Sequence, residues 1–269
     1  MNMLKLVDRR GLTLLELVVV LTILVALAGL AIPLLGGLST QADGSTNAAV
    51  VGDVDRAVGT YFTRHDAHAD GWDSLLNSSD ALFTKLRPAL TSTTVENSPP
   101  DPTLPILAVS AQPLSKEQAE SLKAAGIDVL YDADETAGRS PNSAGSTVRK
   151  IDPQAGVKYA RLNIPGNGAV LGLEAFGIGA ANAELTSARF DFLVVGLGGN
   201  TSIKGETLMD VPLVLSAEPR KHYARVLCVF AIPAASSNEE FRARYLGCFL
   251  PDGTTLRHNL DRYESARSN

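Results

Sequence analysis

The chain has 269 residues, a formal net charge of −5 and a pI near 5.4. Phosphate contact needs clustered Lys and Arg; no such cluster occurs, and the acidic balance argues against a nucleic-acid partner. The cysteines, Cys228 and Cys248, number two, too few for a disulfide scaffold.

Residues 1–11 form a short basic leader with Lys5, Arg9 and Arg10. No charged side chain occurs from Leu17 to Leu35. A helix rises about 1.5 Å per residue, so this run covers roughly the 30 Å of a bilayer core and predicts a single transmembrane segment ending at about residue 35. The leader's cations should stay cytoplasmic, which places the C-terminal part on the outer side. A carboxylate carried deep into lipid costs on the order of 2.5–3.5 kcal/mol, so Glu16 at the edge of the run is expected to have a partner. A secretory signal peptide has a shorter apolar core and a small-residue cleavage site. A plain anchor explains the length of the run but not Gly11 and Glu16 together.

The sequence Gly11-Leu12-Thr13-Leu14-Leu15-Glu16, with its basic leader and the apolar run to Pro33, resembles the N-terminus of type IV prepilins, shared by type IV pilins and type II secretion pseudopilins. The resemblance covers roughly residues 5–35. It implies that a membrane prepilin peptidase cuts between Gly11 and Leu12 and methylates the new amine of Leu12. Leu12 stands where the family usually has Phe. Glu16 becomes the fifth mature residue and Pro33 the twenty-second, the places the family uses in assembly. By this resemblance Glu16 pairs with the methylated amine of a neighbouring subunit. The implied partners are other pilins or pseudopilins and an inner-membrane assembly platform. The implied fold is α+β and pilin-like: a long helix over 12–65, transmembrane and then amphipathic, packed on an antiparallel sheet within a globular domain at 66–269.

Further along, Gly29, Pro33, Gly36, Gly37 and Gly44 weaken the helix and predict a bend or partial unwinding. Val51, Val54, Val58 and Tyr61 then return to helical spacing, with Asp53, Asp55 and Arg56 on the other side. Asp73 is expected to cap a short helix through Leu75, Leu76 and Leu82 to about Leu86. Residues 91–107, with Pro99-Pro100 and Pro102, read as a loop. Ser115 with Gln118 three residues on is a capping-box signal, and Gly126 ends that helix. A strand is expected at 127–131 and a polar loop at 132–149. Strands are expected at 157–163, 189–197, 211–215, 224–232 and 244–250. Residues 254–269 are polar and expected to fray.

Pairing 224–232 with 244–250 as a hairpin sets Cys228 opposite Cys248, Phe230 opposite Leu246 and Val226 opposite Leu250. One register then makes the whole face apolar. A Cys228–Cys248 disulfide is the expectation in an oxidising compartment, with two reduced core cysteines as the alternative.

Other groupings carry ligand-like or glycine-rich patterns. His65, Asp66, His68 and Asp70 have ligand types that suit a transition metal, but a solvated helix end explains them as well. Asp128, Asp132, Asp134 and Glu135 resemble a loose calcium loop without the spacing of an EF-hand. Gly196-Leu197-Gly198-Gly199-Asn200 and Gly166, Gly168 and Gly172 lack a full dinucleotide fingerprint and read as turns. No phosphate-binding loop or nucleophile elbow is present. The sequence therefore predicts no catalytic residue, no metal site and no cofactor.

The functional expectation is a non-enzymatic structural subunit, minor or specialised, of a pilus or secretion pseudopilus. It would sit in the inner membrane with its domain in the periplasm until assembly places it in a filament. The alternative is a membrane-tethered adhesion or binding module. A side chain at Gly11 should obstruct a peptidase fitted to glycine. Gly11→Val is expected to leave the full-length chain uncut, whereas the parent chain should show Leu12 as its N-terminus by mass spectrometry; any other mature N-terminus overturns the cleavage assignment.

Overall fold

The computed structural model describes residues 14–86, 90, 108–132, 149–163, 189–214, 217, 219–235, 237, 240–256, 260 and 264, and omits the side chains of 28–41. Gly11, Leu12, the loop at 91–107 and the glycines at 166–172 lie outside the described residues.

Two strands form the centre. β6 (Phe190–Gly196) and β7 (Leu227–Pro233) pair antiparallel along their full lengths, and every residue of both is buried. Their side chains alternate between two apolar layers. Leu193, Val195, Cys228, Phe230 and Ile232 face one layer; Phe192, Val194, Leu227, Val229 and Ala231 face the other. Strands covered on both faces read as near-continuous apolar runs; β7 is one, and β6 is one broken by Asp191 alone.

The remaining strands grow outward from this pair. β8 (Arg244–Phe249) adds to β7. β5 (Lys158–Asn163) adds to the other edge of β6, and β2 (Ala108–Pro113) to β5. β1 (Trp72–Asp73) also pairs with β6, through Asp73 and Gly196. β3 (Leu130–Tyr131) runs parallel to β1, and β4 (Lys150–Ile151) closes that edge. The result is one curled eight-stranded sheet.

The first layer is closed by two helices. α1 (Leu14–His65) buries Val51, Val54 and Val58 at 0–2% exposure. α2 (Lys116–Ala124) begins with Ser115 and Gln118 in a reciprocal capping box. It ends in a Schellman arrangement, with the Ile127 N–H donating to the Leu122 carbonyl, the Gly126 N–H to Lys123, and Gly126 at φ 91°. The buried Gln118 amide donates to Asp191 of β6 and to the Pro233 carbonyl of β7, both at 2.8 Å, and so pins α2 to the central pair.

Several expectations are corrected. The fold is not a transmembrane-then-amphipathic helix on an antiparallel sheet in the pilin manner. A curled, mixed sheet of eight strands dominates, and it contains the parallel β1–β3 pair. Among the described residues no helix is long and apolar enough to cross a membrane. The described side chains of the apolar stretch, Leu14–Leu27, span about 20 Å of helix against a core of roughly 30 Å. The backbone of α1 continues through Pro33 and the neighbouring glycines without a break.

The expected helix at 75–86 is replaced by turns. Leu75 and Asp80 adopt left-handed φ of 61° and 55°, and Leu76 bridges Leu82. The Asn77 carboxamide oxygen accepts from the Ser79 and Ala81 N–H groups, offering the backbone an alternative to helix. Of the strand expected at 211–215, the described residues 211–214 contribute a single bridge, between Leu213 and Arg225.

In the β7–β8 hairpin Cys228 faces Cys248 as expected, but a bulge follows Val229 and sets Phe230 opposite Tyr245 rather than Leu246. Nearby Gly247 has φ 148°, a conformation that the apolar pattern does not reveal.

Phe230 is the hub of the helix-side layer. Its ring lies 5.1 Å from His68, 5.5 Å from Trp72 and 5.5 Å from Tyr245. Truncating a buried Phe costs about 3–5 kcal/mol. Phe230→Ala is expected to lower the urea midpoint by a corresponding amount, followed by the fluorescence of Trp72, the single tryptophan. A loss below about 1 kcal/mol would remove Phe230 from this role.

Candidate functional site

α1 has two dissimilar halves. From Leu14 to Leu27 each large apolar side chain is at least 49% exposed. Consecutive positions such as Leu17, Val18, Val19, Val20 and Leu21 are all bare, so no face of the helix rests on the sheet. Thr22 satisfies its hydroxyl on the Val18 carbonyl at 2.6 Å. Glu16, in the first turn, is the only ionisable residue in this half and is exposed. A helix apolar all round is normally covered, by protein or by lipid. Pro33 lies in α1, in the stretch whose side chains are not described.

At the other end of α1 a cleft of about 560 Å³ opens against β8. Val58, Gly59 and Phe62 form one wall, and Ala243, Arg244 and Tyr245 the other, with His68 and Arg242 completing it. The His68 ring is 4.7 Å from Phe62, and the residue is only 7% exposed. Burial lowers its pKa to about 4; a backbone hydrogen bond to Ala243 opposes the shift and the Arg242 charge assists it. The imidazole is therefore neutral at ordinary pH, and its enclosed Nδ1 has no hydrogen-bond partner among the described residues. The Tyr245 hydroxyl donates to Asp55 of α1.

Cys228 and Cys248 are free thiols, which corrects the expected disulfide. The Cys248 sulfur instead lies 3.6 Å from the Val51 carbonyl of α1. Burial pushes both thiols well above the ordinary range, so they behave as apolar core residues.

The structure disperses the other ligand-like groups. His65 meets Glu206 at 2.6 Å, Asp66 meets Arg242 at 3.4 Å, and Asp70 accepts the Asp128 and Val129 N–H groups. Asp132 pairs with Arg149 and Ser74, while Asp134 and Glu135 lie outside the described residues. Among the described residues no cluster of three His, Cys, Asp or Glu side chains could hold a metal.

Gly196 and Gly198 are packing positions. A Cβ on Gly196 would stand 1.8 Å from the Tyr223 hydroxyl, and one on Gly198 2.0 Å from the Asp73 carboxylate. That carboxylate accepts from Tyr223 at 2.7 Å. Burial raises the Asp73 pKa to about 6, against the lowering effects of the Tyr223 bond and of Arg225. Neither the cleft nor the Asp73–Tyr223 contact was visible in the sequence, because each joins residues remote along the chain.

Comparison with protein families, with curated proteins and with solved structures finds no match.

His68 and Asp73 act on stability in opposite senses. An imidazole whose folded pKa is lowered from 6.5 to about 4 removes stability as pH falls through that window. A carboxyl whose folded pKa is raised from 3.8 to about 6 adds stability over nearly the same fall. Each contribution is about 3 kcal/mol, so in the parent chain they nearly cancel. Asp73→Asn is expected to expose the His68 slope, with urea stability relative to the parent chain falling by about 3 kcal/mol from pH 6 to pH 4. A difference that does not change with pH overturns the Asp73 assignment.

Proposed function

We propose that this chain is a non-enzymatic structural subunit of a filament of the type IV pilus or type II secretion pseudopilus kind. The observation that carries the reading is the bare apolar half of α1, Leu14–Leu27, projecting from a sheet domain that covers only the helix's other half. The prepilin-like residues Gly11, Leu12 and Glu16 lie at or just before this half, and Pro33 follows it. In this reading prepilin peptidase releases Leu12 and the inner-membrane assembly platform receives the processed chain. The apolar halves of α1 then pack together in the filament, where burial of Leu, Val and Ile holds them. Glu16 meets the Leu12 amine of the next subunit and sets axial register, because an unpaired charge in an apolar core costs several kcal/mol. Before assembly the chain is held at the inner membrane with the sheet domain on the periplasmic side.

Glu16→Ala separates assembly from folding. Glu16 lies remote from both apolar layers of the sheet, so the domain should fold, and processing after Gly11 should continue. The variant should be missing from sheared filament fractions that contain the parent subunit. Normal incorporation of Glu16→Ala would overturn the pairing.

A further inference from the structure

We draw no further inference here: the strongest candidate, the cleft between α1 and β8, is an open groove lined by the part-covered Phe62 and the exposed Arg242 and Arg244, and nothing in the structure shows what covers it.

Discussion

The burial of β6 and β7 on both faces is the constraint on which the rest of the structure depends. A strand pair in that position must be covered twice. One cover comes from α2 and the lower half of α1; the other comes from Leu75, Phe83, Leu86, Leu90 and Val109. The buried polar groups follow from the same demand. Asp191 sits inside β6, and it is satisfied by Gln118 of α2 and Arg161 of β5. Those bonds fix where α2 lies, because a carboxylate left unpaired there would cost more than the helix gains.

The same constraint divides α1. Its valines at 51, 54 and 58 are consumed by the sheet, and the Cys248 sulfur packs against its backbone at Val51. Among the described residues nothing in the sheet domain covers Leu14–Leu27. A single 52-residue helix thus joins a closed core to an apolar surface still open to partners. At the junction where the covered half ends, the chain turns back through Asp66 and His68 toward Trp72, and the cleft is the space left between that turn and β8.

The charge distribution of the core is finely opposed. His68 and Asp73 belong to one short stretch, yet burial favours the neutral form of both. The imidazole is neutral above its lowered pKa and the carboxyl is neutral below its raised one. Between about pH 4 and 6 the native state therefore holds both groups largely uncharged. The apolar layer around Phe230 and Trp72 is thereby spared a fixed charge from either residue.

What the sequence by itself determined was local and periodic. The Ser115–Gln118 capping box, the Gly126 terminus, the valine stripe at 51, 54 and 58 and the apolar runs of β6 and β7 are each written within a few residues. The facing of Cys228 and Cys248 was also legible, since the apolar alternation of two neighbouring runs admits one register near them. The tertiary structure decided what depends on distant partners. Trp72 and Asp73 became a strand because β3 and β6 offered edges, and the segment after them took left-handed turns that Asn77 stabilises. The bulge at Val229 moved Tyr245 under Phe230 and its hydroxyl onto Asp55. The thiols stayed apart, Cys248 turning toward the helix. The cleft at His68 exists only where α1, the turn after it and β8 meet. Periodicity reports which face a residue turns inward; which element waits there is settled by packing across the chain, and no local pattern encodes it.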